Sequence, residues 1–206
     1  MSLIYIYIII VLMIIESCSS SSNIVTFSAS RKLIRNLNEC NIDCNGFKAW
    51  FSNSDRPQEI LELNPGIEKM IKLDNNKYKG YLSPIKFPGL IITSIVDFDI
   101  YFDGSRLEVN CFEDSLVQEY QGSKLLISII SKLIPKVKST NILTINEANN
   151  ELINEATLNI IFSIPSWFPF KKNVLEDKGS VAIGANIESD LNKLLDKIIL
   201  VYKQTN

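Results

Sequence analysis

The sequence predicts an α+β fold in which a strongly bent antiparallel sheet of about seven strands wraps around a long C-terminal helix. Residues 77–164 contain successive stretches rich in β-branched and aromatic residues, separated by turn signals such as Asp103-Gly104. Over residues 183–201, apolar residues recur every three or four positions, opposite charged residues such as Glu188. This spacing is typical of a helix that packs one apolar face on a sheet.

Two short helices are predicted after the first strand. Residues 38–51 end in an aromatic-rich run, and we expect the first strand, or a strand pair, there. The first short helix is predicted over residues 55–63, because Asp55 can cap it and Pro57 suits its first turn. The second is predicted over residues 65–73, where apolar residues follow a helical spacing.

An antiparallel meander of about six strands is expected next. The candidates are residues 77–86, 90–102, 107–111, 124–134, 141–146 and 152–164. Asp103-Gly104 and Asn149-Asn150 supply the turns before the third and the last of them. Residues 124–134 also satisfy a period near four and could form a helix, but their β-branched content favours a strand.

Composition excludes several classes of protein. The chain has 206 residues and no histidine, so Ser-His-Asp and Cys-His hydrolases and His-ligated metal sites are excluded. Lys plus Arg number 21 and Asp plus Glu 23, a balance without the basic excess that nucleic-acid binding requires. We therefore expect no nucleic-acid partner, no metal and no cofactor.

The N-terminus is predicted to be a targeting segment. Residues 3–15 form an unbroken apolar run, too short to span a bilayer but of the length of a signal-peptide core. Small polar residues follow, so residues 1–19 are interpreted as a secretory signal cleaved after Ser19, which leaves no stable transmembrane span. The alternatives are a short membrane anchor, a buried strand, or a lipid attachment site at Cys18.

Residues 20–38 have the composition of a transit peptide, because they are rich in Ser, carry Arg31, Lys32 and Arg35, and contain no acidic residue. A secretory signal followed by such a segment resembles the bipartite leader of proteins imported into plastids that are bounded by extra membranes. The sequence therefore predicts an apicoplast-like secondary plastid as the destination, with a secreted or signal-anchored protein as the alternative. Residues 39–206 would form a single domain.

Three cysteines would remain after cleavage of the signal, namely Cys40, Cys44 and Cys111. Cys40 and Cys44 are predicted to share one face of a strand at a separation of about 13 Å, too far for a disulfide. We interpret the cysteines as small buried residues rather than as metal ligands or redox groups.

The order of the elements is that of the START-like (SRPBCC), or helix-grip, superfamily, in which the gap between sheet and helix becomes a cavity. Several motifs also resemble an uncharacterised cyanobacterial and plastid family of that superfamily, a domain of unknown function. They are the proline-flanked aromatic loop at 162–170, Val174-Leu175-Glu176, Gly179-Ser180, Phe87-Pro88-Gly89-Leu90 and Val96-Asp97-Phe98-Asp99. The family has Gly-Asn in place of Gly179-Ser180, and Tyr202 lacks the family's flanking aspartate and tryptophan. The likeness covers residues 40–203 and implies a plastid setting.

The fold implied by this resemblance predicts non-catalytic binding of a hydrophobic small molecule, such as a lipid, an isoprenoid or a pigment-like molecule. The expected ligand-binding residues are Trp167, Phe168, Phe170, Ile183, Ile187 and Leu191. One alternative is a plastid assembly or scaffold protein that acts through unidentified protein partners, with the aromatic loop as the contact. The other is a cyclase- or hydratase-like enzyme. Its base would be a carboxylate, with candidates Asp97, Asp99, Glu108 and Glu119, although no catalytic constellation is recognisable.

Overall fold

The computed structural model describes residues 22–64, 66–74, 76–87, 89–124, 127–128, 131, 136–165 and 171–205. The strands are β1 (Ser22–Asn36), β2 (Ile67–Lys72), β3 (Lys77–Leu82), β4 (Ile85–Phe87), β5 (Leu90–Phe102), β6 (Arg106–Gly122), β7 (Lys136–Asn146) and β8 (Glu151–Pro165). The helices include α1 (Cys44–Phe51), α2 (Arg56–Glu62) and α3 (Lys172–Thr205).

Every strand pair is antiparallel, and the sheet order is β1-β8-β7-β6-β5-β3-β2, with the short β4 also paired to β5. α1 and α2 follow β1, and α3 comes last. At 1.5 Å per residue α3 is about 51 Å long, and it packs chiefly against β1. The predicted α+β helix-grip fold, with two short helices after the first strand, is confirmed.

A large bulge bends the sheet between β5 and β6. Val96 pairs with Leu116 and Phe98 pairs with Cys111, so residues 112–115 of β6 oppose a single residue of β5. A bulge bends its strand and increases the local twist. The bend curls the sheet and gives it a concave face towards α3.

Two glycines allow α3 to lie close to β1. A Cβ atom at Gly179 would come within 2.3 Å of the Phe27 ring, and one at Gly184 within 2.2 Å of the Arg31 guanidinium. Separations this short do not occur between real side chains. At Gly179 the backbone of α3 therefore lies closer to the buried Phe27 ring than a Cβ would permit, whereas at Gly184 a Cβ would require the flexible Arg31 side chain to move.

Side chains of α3 also cover the free edge of β1. The backbone N–H of Thr26 donates to Glu176 Oε1 at 2.9 Å, and the N–H of Ser28 donates to Ser180 Oγ at 3.0 Å. Unpaired N–H groups at a sheet edge can pair with another chain. The helix therefore protects part of the edge as well as the concave face.

The first strand is not at residues 38–51, as predicted, but at 22–36, inside the segment interpreted as transit-like (20–38). β1 pairs with β8 along its whole length, and its inward-facing Val25 and Phe27 are 0% and 3% exposed. The sheet thus begins before the domain boundary predicted at residue 39. Serines 28 and 30 and Lys32 occupy the outward positions of the strand and give the segment its leader-like composition.

Residues 44–51 form α1 instead of a strand. Asp43 caps the helix, and its Oδ2 accepts a hydrogen bond from the Gly46 N–H at 2.7 Å. Phe47 and Phe51 lie one turn apart and are both fully buried, so the aromatic run follows a helical period. Cys40 lies in the turn before α1, and Cys44 is its first residue, so the prediction that the two share a strand face is wrong.

Two further elements differ from the predictions, whereas the helix predicted at 55–63 is confirmed as α2. Residues 67–72 form β2, not a helix, and they pair with β3. In the segment 124–134, predicted as a strand, the described residues Lys124, Ile127 and Ser128 are helical. Tertiary pairing decides both cases, because short apolar runs satisfy a helical and a strand period almost equally well.

The buried core that the structure describes consists of two separate clusters. The large cluster joins α1, α2, the C-terminal half of α3 and the strand ends near the β5–β6 and β7–β8 turns. Its residues are Leu37, Ile42, Cys44, Phe47, Phe51, Ile60, Tyr78, Phe98, Ile100, Leu107, Cys111, Leu143, Ile145, Leu152, Leu194, Leu195, Ile198 and Ile199. The small cluster joins β1, β8 and the N-terminal half of α3, and its residues are Val25, Phe27, Ile160, Phe162, Ile164 and Ile183.

Candidate ligand-binding site

The alternation of side chains along the strands determines which of them face α3. On β5 the even-numbered residues, such as Ile92 and Ser94, are buried or half-buried. Directly paired residues of neighbouring strands lie on the same face of a sheet. The register therefore places Gln118 of β6 beside Ser94 on the concave face, and through β7 it places the even-numbered residues of β8 there as well.

The middle of the concave face is incompletely covered. Along β8, Leu152 and Asn154 are fully buried, Ala156 and Leu158 are only half-buried, and Ile160 is buried again. Side chains that a helix covers tightly are buried, as those at both ends of β8 are. The accessible pair in between therefore marks a part of the concave face that neighbouring side chains do not fully cover.

The neighbouring strand β7 repeats this pattern at the same level. We define the central band as the half-buried, inward-facing residues of β7 and β8 that lie between the large and small clusters. They are Ser139, Asn141, Ala156 and Leu158. Two of them are apolar and two are uncharged polar residues, a composition that suits an apolar ligand with a few polar groups.

One group of polar side chains beside the central band is bonded internally. Tyr120 Oη donates to Gln118 Oε1 at 2.9 Å, and Gln118 Nε2 lies 3.5 Å from Ser94 Oγ, at the long limit of a hydrogen bond. Ser94 is 8% exposed. A buried polar group that is bonded in this way costs little stability, so these three residues are compatible with a purely structural role.

Asn154 differs from this bonded group. Its side chain is 0% exposed, and neither Oδ1 nor Nδ2 has a hydrogen-bond partner. Its cross-strand neighbours are Leu33 on β1 and Leu143 on β7. An unsatisfied buried amide costs about 1–3 kcal/mol, and this one lies one inward position along β8 from the central band.

The sequence analysis did not single out Asn154 or Asn141. A signal was present, because both lie in the register of their strands that also holds buried apolar residues. Leu152 and Ile160 share the face of Asn154, and Leu143 shares that of Asn141. A polar residue at a position where the alternation of a strand predicts an apolar one indicates a candidate site more strongly than the residue type alone does.

Charges on the concave face belong to β1 and are paired with α3. Arg31 Nε lies 3.5 Å from Glu188 Oε2. Arg35 Nη2 donates to Asn192 Oδ1 at 2.6 Å and lies 3.2 Å from Asp196 Oδ1. These contacts are partly exposed, so each contributes at most about 1 kcal/mol. They hold the arginines towards the helix rather than towards the sheet.

The predicted ligand-binding residues divide into two groups. Ile183 is 1% exposed within the small cluster, Ile187 is half-buried against that cluster, and Leu191 is 3% exposed. Ile187 is therefore the most accessible of the three. Trp167, Phe168 and Phe170 lie outside the described residues.

The four carboxylates considered as catalytic bases do not lie on the concave face. The register puts Asp97, Asp99, Glu108 and Glu119 on the convex face of the sheet. Asp97 lies 3.8 Å from Lys79. Hydrogen bonds from the Asn110 amide and the Arg106 guanidinium lower the pKa of Glu108. A ligand on the concave face is separated from all four by the sheet.

The three cysteine thiols that the structure describes are free. Cys44 and Cys111 are buried and Cys40 is half-buried. Burial, with smaller contributions from the charges of Glu147 and Asp43, raises the pKa of the Cys44 thiol and keeps it protonated. Among the described residues, no cluster of acidic or cysteine side chains could hold a metal ion, and no helix is long and apolar enough to cross a bilayer.

A shallow hollow of about 310 Å³ lies on the outward side of α3, lined by Asp177, Lys178, Val181, Ala182 and Ala185. Val181 is 70% exposed there. The hollow is formed by one helix alone and is open to solvent, so it cannot exclude water from a ligand. The central band is the better candidate.

Comparison with known proteins finds similarity of chain path only. No family model matches the chain, and no curated protein is similar in sequence. Similar solved structures include TTHA0849 from Thermus thermophilus, at 9% identity over 84% of this chain and 97% of that one, with a TM-score of 0.47. The Zhui aromatase/cyclase from a Streptomyces species is 9% identical over 84% and 93%, with a TM-score of 0.41.

A plant protein is also similar in chain path. Major latex-like protein 151 from Panax ginseng is 11% identical over 80% of this chain and 97% of that one, with a TM-score of 0.33. All these TM-scores are low, so the fold is defined by the strand order and the helix placement described above.

Proposed function

We propose that this protein binds a hydrophobic small molecule, without transforming it, in the space between the central band and α3. The observation that carries the proposal is the half-buried state of Ala156 and Leu158 between two fully buried stretches of β8. Ile187 of α3 packs against the small cluster on the helix side of this space. Apolar walls with a few uncharged polar groups are the usual lining of such sites.

The distribution of charge supports binding rather than acid–base catalysis. The four carboxylates considered as bases lie on the convex face, and Arg31 and Arg35 are paired with Glu188 and Asp196 of α3. A group that transfers protons must reach the reacting atom within hydrogen-bond distance. The described residues of the concave face of the sheet carry amides, hydroxyls and apolar groups. Such groups bind and orient a ligand more readily than they transfer protons to or from it.

A plastid location is a second part of the proposal, and it rests on sequence composition. Residues 1–19 have the pattern of a secretory signal, and residues 20–38 are basic and free of acidic residues. Because 22–36 form a strand of the sheet, a targeting role for this segment would have to precede folding and leave the segment in place. A fluorescent protein fused to residues 1–38 should enter the plastid, and a cytosolic signal would contradict the address.

The binding proposal can be tested with the uncharged dye N-phenyl-1-naphthylamine, whose fluorescence rises in apolar surroundings. The form beginning at Ser20 is suitable, because it keeps every described residue and lacks the apolar segment that could itself bind the dye. We expect saturable binding at one site and displacement by lipids extracted from plastid membranes. Native mass spectrometry of the protein–lipid complex that remains would then give the mass of the ligand.

The matched control is Ala156→Leu, which would place a larger side chain in the central band. It should reduce dye binding at least tenfold while the protein remains folded by circular dichroism. If the wild-type protein binds no dye, or if Ala156→Leu binds it equally well, a ligand site at the central band is ruled out and a surface-acting scaffold becomes the better hypothesis.

A further inference from the structure

The amide of Asn154 is the feature of the concave face that internal structure explains least. Among the described residues, the other buried unpartnered side-chain atoms are Trp50 Nε1 and Arg106 Nε. Trp50 lies on α1 under the Arg56 guanidinium, 4.1 Å from it, and Arg106 lies on the convex face. Asn154 is thus the unsatisfied group that lies next to the central band.

The surroundings of Asn154 place two amides around one small side chain. Ala156 is the next inward residue of β8, about 6.6 Å further along the strand. Asn141 of β7 is the direct cross-strand partner of Ala156, and such partners lie about 5 Å apart. A ligand atom resting on the methyl group of Ala156 would lie beside Asn141, and it would reach the covered Asn154 amide after a rotation of that side chain.

The concave face near these amides carries no net charge to attract an ion. On β5, β6, β7 and β8 the described inward-facing residues are uncharged. On β1, Arg31 is the direct partner of Ala156, but its guanidinium contacts Glu188 and the backbone oxygen of Ser30. An acidic ligand would have to compete with Glu188 for this arginine, whereas an uncharged one would not.

We infer that the ligand is an uncharged hydrophobic molecule with a hydroxyl or carbonyl group, and that Asn154 and Asn141 bind this group above Ala156. This inference rests on the proposed function. An amide offers both a donor and an acceptor, so it can satisfy a hydroxyl completely and a carbonyl through its N–H. Binding would supply the hydrogen bonds that the Asn154 amide lacks in the structure, which explains why an otherwise costly residue occupies this position.

Three rigid probes of similar size separate the possible ligand chemistries. Naphthalene is apolar, 2-naphthol adds an uncharged hydroxyl, and 2-naphthoate adds a negative charge at neutral pH. Each is measured by displacement of N-phenyl-1-naphthylamine from the form beginning at Ser20. We expect 2-naphthol to bind about fivefold more tightly than naphthalene, as one net hydrogen bond predicts, and more tightly than 2-naphthoate.

The variant Asn154→Leu should remove this preference, so that 2-naphthol and naphthalene bind equally, with naphthalene at least as tight as in the wild type. The control Asn110→Leu makes the same change on the convex face, where Asn110 bonds Glu108 and Thr140, and it should keep the preference. Asn141→Leu provides a second test at a half-buried position. It keeps the role of the amides testable if Asn154→Leu does not fold.

The outcomes distinguish this inference from the proposed function. If the wild-type protein binds none of the probes, the proposed function fails and the inference fails with it. If the probes bind but the hydroxyl preference survives both Asn154→Leu and Asn141→Leu, the ligand site stands and the role of the amides is wrong. Tighter binding of 2-naphthoate than of 2-naphthol would overturn the inference of an uncharged ligand.

Discussion

The large cluster and the central band lie on the same concave face of the sheet, but they are covered to different degrees. At the large cluster, Phe47, Phe51 and Leu195 are fully buried, and the Phe47 ring centroid lies 5.1 Å from that of Tyr202. At the central band, the side chains facing the same helix are half-buried. The same two elements, a sheet and a helix, therefore form a closed core at one end and an accessible surface in the middle.

The difference arises from the side chains that each region receives. α1 lies across the open end of the sheet and supplies aromatic rings to the large cluster, and Gly46 leaves room for the Tyr202 hydroxyl, which a Cβ would approach to 2.9 Å. The central band instead presents small or polar residues such as Ala156 and Ser139. The aromatic end is therefore tightly packed, whereas the middle is not.

Removing β1 should prevent both the large cluster and the central band from forming, because both regions depend on that strand. A form beginning at residue 39 loses Val25, Phe27 and Leu37, which are 0%, 3% and 0% exposed, together with the partner of β8. We expect no cooperative thermal unfolding transition. The control is the form beginning at Ser20, which should unfold cooperatively. A similar melting temperature for both forms would show that β1 is dispensable.

Two truncations should reveal how unevenly stability is distributed. Phe47→Ala in the large cluster should lower the free energy of unfolding by about 3–5 kcal/mol, since a fully buried ring is lost. Leu158→Ala in the central band should cost only about 1 kcal/mol, because that side chain is half-buried. Urea unfolding measures both. Equal losses would mean that the central band is packed as tightly as the large cluster.

The two glycines of α3 should respond differently to the same substitution. Gly179→Ala drives a methyl group into the buried Phe27 ring and should cost about 1–3 kcal/mol. Gly184→Ala meets the end of the flexible Arg31 side chain, which can move, and Ala gains about 1 kcal/mol of helix propensity. Its unfolding free energy should change by less than about 1 kcal/mol. A larger loss at Gly184 would indicate that the Arg31–Glu188 contact is essential.

Asn154→Leu should act in the opposite direction, because it removes an unsatisfied amide from an apolar environment. We expect the unfolding free energy of the ligand-free protein to rise by about 1 kcal/mol. Asn110→Leu, which breaks bonds to Glu108 and Thr140, should lower it. A destabilising effect of Asn154→Leu would imply that the amide has internal partners.

The smallest effect is expected at the β5–β6 turn. Hydrogen bonds from the backbone N–H groups of Ser105 and Arg106 lower the pKa of Asp103. A lowered pKa contributes stability above the unfolded-state value of about 3.9, and that contribution is lost as the pH falls through the folded-state value. Asp103→Asn should therefore be slightly less stable than wild type at pH 6 and should match it near pH 2, by urea unfolding. If the difference in unfolding free energy between wild type and Asp103→Asn were the same at pH 6 and near pH 2, a contribution from the Asp103 charge would be excluded.

The strands β3, β5 and β8 were predictable because each carries its own alternation and its own turn. The strand predicted at 124–134 is wrong, and β6 and β7 extend beyond the predicted 107–111 and 141–146. Residues 90–102 were predicted with the bounds that β5 has, and Asp103-Gly104 forms the turn, where Gly104 has a φ of +90°. Both features are local, so no knowledge of the rest of the chain is needed. The long helix was predictable for the same reason.

The first strand was missed because its composition was weighed above its pattern. In β1 the apolar residues Val25, Phe27 and Ala29 alternate with Thr26 and serines, which is the pattern of a half-buried strand. The serines and Lys32 of the leader-like segment occupy the other positions, whereas Arg31 and Arg35 continue the inward register and pair with α3. Residues 44–51, which form α1, were predicted to belong to the first strand, because the segment that forms β1 has the composition of a leader.

The candidate site was only partly predictable. The inward helix face that carries Ile183, Ile187 and Leu191 was predictable from their spacing, and their contact with a ligand stays a prediction. The sheet side depends on long-range pairing. The register that joins Asn141 to Ala156 and leaves Asn154 beside Leu143 combines strands that close only in the folded sheet. Which polar residue lacks a partner is a property of that register and of side-chain packing, and no single segment contains it.

The capping of β1 by α3 links ligand exchange to self-association. Glu176 and Ser180 occupy two N–H groups of the edge strand, and the same helix covers the concave face. A movement of α3 that is large enough to admit a bulky ligand would release these N–H groups and offer a bare strand edge to another molecule.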